Sequence, residues 1–205
     1  MIAVVDYGMG NLGSILNMLK KIGSRAVVSS DAGAIAEADR LILPGVGAFD
    51  TGMQRLGELH LIEALNRKVL DQRTPVLGVC LGMQLLTGGS EEGERPGLGW
   101  IDGRAVRFAF DGAHAGLKVP HMGWNTVSVR KPDPLFAGLE TGARFYFVHS
   151  YYVTCANQDD VLATTEYGGE FHSAVSRDNI MGTQFHPEKS HRFGMALLTN
   201  FVERT

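Results

Sequence analysis

The strongest constraint in the sequence is Pro75-Val76-Leu77-Gly78-Val79-Cys80-Leu81-Gly82-Met83-Gln84-Leu85-Leu86. A short apolar run over 76–79 passes through Gly78 and Gly82 into apolar residues at helical spacing, so Cys80 falls at a turn from strand to helix. Glycines two before and two after the cysteine let strand, turn and helix crowd together, which lifts the sulfur out of the fold as a nucleophile elbow does. The helix start then offers backbone N–H groups to a thiolate and to an oxyanion formed beside it. A buried structural cysteine is the competing reading, and the paired glycines count against it.

The 205 residues suffice for one continuous core, and the chain reads as one domain over 1–205. Lys and Arg number 19 against 22 Asp and Glu, a net charge of −3 without a basic block, so neither nucleic acid nor an anionic membrane is expected as a partner. Cys80 and Cys155 are too few for a disulfide scaffold, and no charged leader precedes the first apolar strand. No apolar run reaches the roughly 20 residues of a membrane helix. A soluble cytoplasmic protein without metal or cofactor is expected.

The first half alternates strands (2–5, 26–29, 41–43, 76–79) with helices (15–22, 51–59, 62–71 and the one after Cys80). Gly8, Gly10 and Gly13, with Asp31 18 residues further on, also fit a dinucleotide fingerprint, a reading that would leave the elbow unexplained. A glycine-rich acidic loop occupies 88–97. Beyond Trp100, strands are expected at 105–110, 118–119, 125–129, 145–148, 161–166, 171–176 and 180–184, and a last helix at 191–202. The fold class is therefore α/β, a mixed and mostly parallel central sheet flanked by helices, with extra antiparallel strands in the second half.

A thiol nucleophile needs a base, and the base needs an orienting partner. His186-Pro187-Glu188 follows the last strand directly. In an extended segment residues two apart share a side, so the Glu188 carboxylate is placed to hold one imidazole nitrogen while the other faces Cys80.

The segment 78–84 with His186-Pro187-Glu188 about a hundred residues later resembles the class I, triad-type glutamine amidotransferases. Pro44-Gly45-Val46-Gly47-Ala48-Phe49, His121-Met122-Gly123-Trp124-Asn125 and Val148-His149-Ser150-Tyr151 are similar to segments of the glutaminase subunit of imidazole glycerol phosphate synthase. The likeness runs from residue 2 to about 204. It implies a flavodoxin-like fold and hydrolysis of L-glutamine to glutamate and ammonia through a γ-glutamyl thioester on Cys80. His186 would move the proton and Glu188 would stabilise the imidazolium.

The oxyanion donors implied are Leu81 N–H and backbone N–H groups of Gly45, Val46 and Gly47. Gln84 and Glu92 would contact the amino-acid end of glutamine and the backbone of Ser150 and Tyr151 would complete the pocket, with Glu92 preferred over Glu91 and Glu94 by spacing from Cys80. The implied partner is a (β/α)8-barrel cyclase subunit that uses the ammonia to form imidazole glycerol phosphate and AICAR in histidine biosynthesis. Asn11, Trp124, Asn125 and Lys189 would face it in a heterodimer. His121 and His149 receive no catalytic role, and Cys155 reads as structural. Asp50, where the family often has Gly, and a variable loop at 113–116 depart from the pattern without touching the proposed triad. Two alternatives are a non-catalytic subunit on the same fold, which the Cys80, His186 and Glu188 set opposes, and an anthranilate synthase type, which typically has Pro where this chain has Val46.

Overall fold

The computed structural model describes residues 1–139 and 141–205. Its elements in chain order are β1 (Ile2–Val5), α1 (Leu12–Ile22), β2 (Ala26–Ser29), α2 (Ala32–Ala36), β3 (Arg40–Gly45), α3 (Phe49–Glu58), α4 (Leu61–Asn66), β4 (Val76–Cys80) and α5 (Leu81–Leu85). There follow β5 (Gly103–Arg107), β6 (His121–Thr126), β7 (Ser128–Val129), β8 (Arg144–His149), β9 (Tyr151–Cys155), β10 (Val161–Glu166), β11 (Glu170–Arg177), β12 (Ile180–Thr183) and α6 (His191–Glu203).

Five strands lie parallel in the order β2-β1-β3-β4-β12, the flavodoxin-like arrangement in which the order reverses between β1 and β3. The sheet continues antiparallel through β11, β10 and β7, while β9 and β5 branch from β11. A separate ribbon of β6 and β8 is tied to the site by a bridge between Tyr146 and His186.

Alternation along the central strands divides the core. Ile2 and Val4 pack with Ile15, Leu19 and Leu197 on the face covered by α1 and α6, whereas Ala3 and Val5 pack with Leu56, Leu65 and Leu81 on the other. Each fully buried Leu or Ile contributes about 1.5–3 kcal/mol, so two covered faces supply the main cohesion of the sheet. The helix ends are satisfied locally: Asn11 Oδ1 accepts from Ser14 N–H at 3.3 Å, and Gly23 closes α1 in the left-handed conformation.

Several expected elements are corrected. Residues 118–119 form no strand; they bend into Pro120, which has no N–H for a ladder. The strand expected at 105–110 runs instead over Gly103–Arg107, and residues 112–114 make a short 3-10 turn. The helix over 62–71 loosens into a wider π turn at Arg67–Asp71. Asp31, the acidic residue of the dinucleotide pattern, caps α2 by accepting from Ala34 N–H at 2.9 Å. No helix among the described residues is long and apolar enough to cross a membrane.

The sheet positions the site through register. Gly45 pairs with Cys80 across β3 and β4, and Thr183 pairs with Val79 across β12 and β4. The C-terminal ends of three adjacent parallel strands therefore converge, the usual crevice of open α/β sheets. Gly78 lies against the backbone of Gly82 and Met83, and Gly82 against the Leu43 carbonyl, so a Cβ at either position would overlap main chain. Gly13, exposed in α1, has open space around it. Replacing Gly82 by Ala should lower unfolding stability by about 3 kcal/mol or more, whereas Gly13→Ala should raise it by ~0.5–1 kcal/mol. Urea midpoints distinguish the two, and similar effects at both sites would contradict the packing account.

Candidate active site

Cys80 ends β4 with φ 55° and ψ −108°, a left-handed conformation unusual for a residue with a side chain, and α5 begins at the next residue. This is the elbow geometry that the flanking glycines predict. The helix after it is only five residues long, so its contribution near the sulfur is the N–H groups of its first turn rather than a long macrodipole.

Cys80 opens into a cavity of about 610 Å³ lined also by Val46, Gly47, Ala48, Leu81, Gln84, Glu92, Pro120 and the 148–151 segment. Gly45 does not line it. Its Cα is wedged between the hydroxyl of Tyr7 and the side chain of Leu81, with no room for a Cβ. Tyr7 is fully buried and donates its hydroxyl to the Pro44 carbonyl at 2.6 Å. Gly10 packs against Gly45 and Pro44, so the glycine turn after β1 braces the Pro44–Gly47 segment. Burial, with Cys80 nearby, pushes the Tyr7 hydroxyl far above its ordinary value and keeps it a neutral donor.

The imidazole of His186 is buried, and its Nδ1 lies 2.7 Å from Oε1 of Glu188. The connecting segment is not extended: Pro187–Lys189 forms a 3-10 turn with Pro at its first position, and this turn swings the carboxylate back onto the ring. Among the described residues His186 Nε2 and Glu188 Oε2 have no hydrogen-bond partner. Burial alone would depress the His186 imidazole, but Cys80 and Glu188 on either side outweigh it and raise the ring to about 9. The protonated ring is thus the favoured form at neutral pH. The Cys80 thiol points at the Val148 carbonyl, 4.0 Å away.

The acidic loop resolves into distinct jobs. Glu92 reaches the cavity and its Oε2 accepts from Phe49 N–H at 2.8 Å, beside the start of α3. Glu91 turns away to accept from Arg107 N–H at 2.8 Å. Asp50 accepts from the N–H groups of Glu94 and Arg95, each at 3.0 Å, and so ties the loop to α3.

Gln84 donates Nε2–H to the Tyr151 carbonyl at 3.0 Å and to Oε1 of Gln184 at 3.2 Å, and Gln184 Nε2 lies 3.7 Å from the Cys80 sulfur. Sequence reasoning assigned Gln184 nothing. Its signal was a long polar side chain at the end of a buried strand, two positions before His186 and hence on the same side.

His121 and His149 are hydrogen-bonded to each other at 3.1 Å inside an aromatic cluster with Phe108, Phe147, Tyr167 and Phe171. Burial lowers them to about 4 and about 3 respectively, so both are neutral. Asn125 lies behind His121 at 3.3 Å and donates to the Glu166 carbonyl. Trp124 is 39% exposed and stacks on His191, and Lys189 and Asn11 are exposed. Cys155 is buried on β9, where burial and Asp160 push its thiol up to about 12. The described residues contain no group of three or more His, Cys, Asp or Glu arranged to hold a metal.

A recessed sulfur with a charged imidazole beside it, in a cavity lined by Val46, Gly47 and the first residue of α5, suits nucleophilic attack on a carbonyl. Comparison with known proteins points the same way. Solved structures share the fold: one described as a glutamine amidotransferase superposes with a TM-score of 0.75 at 20% identity, covering 99% of this chain and 98% of its own. A glutamine amidotransferase from Thermotoga maritima gives 0.71 at 14%, covering 99% and 96%. Imidazole glycerol phosphate synthase subunit HisH 2 of Methanococcus maripaludis is 55% identical over all of both chains, and the protein of the same name from Pseudomonas aeruginosa is 54% identical over 99% of each. The model of the class-I glutamine amidotransferases matches residues 3–205, and the chain belongs to that family.

Proposed function

We propose that this chain is the glutaminase subunit of an imidazole glycerol phosphate synthase. It acts as one domain over 1–205 and supplies ammonia to a (β/α)8-barrel cyclase with which it forms a heterodimer. The observation that carries the chemistry is Cys80, lining the cavity, beside a His186 imidazole braced by Glu188 at 2.7 Å. The full-length similarity to subunits bearing the synthase's name supports the pathway assignment.

The Cys80 thiolate attacks the side-chain amide carbon of glutamine, and the oxyanion accepts hydrogen bonds from Leu81 N–H and from the backbone of Val46 and Gly47, which line the cavity where Gly45 does not. The imidazolium of His186 gives its Nε2 proton to the departing amine, which leaves as ammonia. Water then attacks the thioester, passing a proton to Nε2, and glutamate is released as sulfur recovers its electron pair. Glu188 stabilises the imidazolium throughout. Gln84 presents Oε1 and Glu92 a carboxylate to the α-ammonium, while the backbone of Ser150 and Tyr151 completes the pocket.

The partner face is supported by exposed apolar residues, one of which, Val46, lines the cavity. Val46 is 44%, Met122 62%, Trp124 39% and Val119 36% exposed. Large exposed apolar side chains, with polar Asn11, Asn125 and Lys189 assigned to the same face, suit a docking surface. The same enclosure would keep ammonia from bulk water on its way to the cyclase.

Replacing Cys80 by Ala should cut glutamine-dependent ring closure by the reconstituted complex by at least about 10³-fold, and ammonia-dependent closure should persist. Loss of both would contradict the division of labour. Glu188→Gln should reduce glutaminase kcat on the order of 10³-fold and shift its pH profile. His186 is raised from 6.5 to about 9, so stabilisation of the charged ring is fully present below 6.5 and fades as pH rises through about 9. Without the carboxylate that upper limit should fall, and an unchanged high-pH limb in the residual activity would contradict the role given to Glu188.

A further inference from the structure

We propose that Gln184 is a catalytic residue that holds Cys80 in its thiolate form by donating Nε2–H to the sulfur. This rests on the reading of Cys80 as the nucleophile. A thiolate in this position has little water to solvate it, because Cys80 is 6% and Gln184 0% exposed. It needs N–H donors from the protein. His186 is the charged one, and the geometry supplies a neutral second at 3.7 Å.

The direction of the Gln184 amide follows from its neighbours. The Tyr151 carbonyl can only accept, and it lies 3.0 Å from the end of the Gln84 side chain, so that end is the nitrogen. The same nitrogen lies 3.2 Å from Gln184, which therefore turns its oxygen to Gln84. The nitrogen of Gln184 is then the end aimed at Cys80. The Tyr151 carbonyl also accepts from His149 Nδ1–H at 2.8 Å, leaving His149 Nε2 to accept from His121 Nδ1–H. One backbone carbonyl thereby orients both chains of hydrogen bonds.

A thiolate accepts this hydrogen bond well and a thioester sulfur poorly. Gln184 therefore favours the charged nucleophile before attack. It favours the same state when water adds to the acyl carbon, the C–S bond breaks and the electron pair returns to sulfur. The titratable groups around the sulfur are His186 with Glu188 behind it, Tyr7 below the adjoining strand, Glu92 lining the same cavity, and His149, which lies within electrostatic range of His186.

The test is the pH dependence of Cys80 alkylation by iodoacetamide in the full chain, read by peptide mapping beside glutaminase kinetics. Gln184→Glu keeps an oxygen for Gln84 Nε2 but replaces the donor by an acceptor, and Gln184→Met removes both. Both variants should alkylate at Cys80 roughly tenfold to a hundredfold more slowly at neutral pH, with the profile displaced to higher pH. The kcat should fall by a similar factor while KM stays within about twofold. If Gln184→Glu, folded by its urea midpoint, shows the wild-type alkylation profile and kcat, Gln184 only supports Gln84 and the proposal is wrong. Cys80→Ala separates the two readings: retained glutaminase there would overturn the nucleophile itself, whatever the Gln184 variants do.

Discussion

The close contact of three main-chain segments is what the site depends on. Gly82 sits against the Leu43 carbonyl, Gly78 against Gly82 and Met83, and Gly45 against Tyr7 and Leu81. With β3, β4 and the start of α5 in contact at backbone distance, the chain has no relaxed way to pass from strand to helix, and Cys80 takes the left-handed conformation. That strain is held by the buried faces of the parallel strands rather than by anything local to the cysteine. The same contact sets Pro44–Gly47 alongside the first N–H groups of α5, so the proposed nucleophile and oxyanion donors come from one packing event.

Electrostatics then differentiates the buried groups. Three histidines lie close together, yet one is raised to about 9 and two are lowered to about 4 and about 3. The difference is in their partners. His186 has a carboxylate and a sulfur beside it, whereas His121 and His149 have each other, aromatic rings and a backbone carbonyl, none of which rewards a positive charge. A site that must carry a thiolate and an imidazolium is thus bordered by groups that stay neutral, and Tyr7, also neutral, holds the Pro44 carbonyl beneath it.

Much of this was legible in the sequence because it depends on short-range rules. Glycines at minus two and plus two from Cys80 encode a close approach, the alternation of strands and helices encodes parallel pairing, and the two-residue spacing of His186 and Glu188 encodes their meeting. The segment expected to be extended is a 3-10 turn, but it brings the same two groups together. What was not legible is long-range. That β12 returns to lie beside β4, that Tyr7 reaches Gly45, and that Gln184 meets Gln84 and Cys80 are consequences of topology, with partners about 40 or 100 residues apart. The strand expected at 118–119 failed for a local reason, since Pro120 follows it and cannot donate to a ladder. The choice among the three acidic loop residues also needed the structure, where Glu92 alone of them lines the cavity.

The central claim is that the elbow makes Cys80, and not Cys155, the group that takes the γ-glutamyl chain. A glutamine analogue with an electrophilic γ-diazoketone tests it directly, because it binds as glutamine does and marks the attacking atom. Peptide mapping after incubation should find the label on Cys80, with glutamine protecting it and glutaminase lost in step with labelling. Cys155, buried with its thiol pushed up to about 12, should remain unmodified. Labelling at Cys155, or inactivation with Cys80 unmodified, would contradict the account.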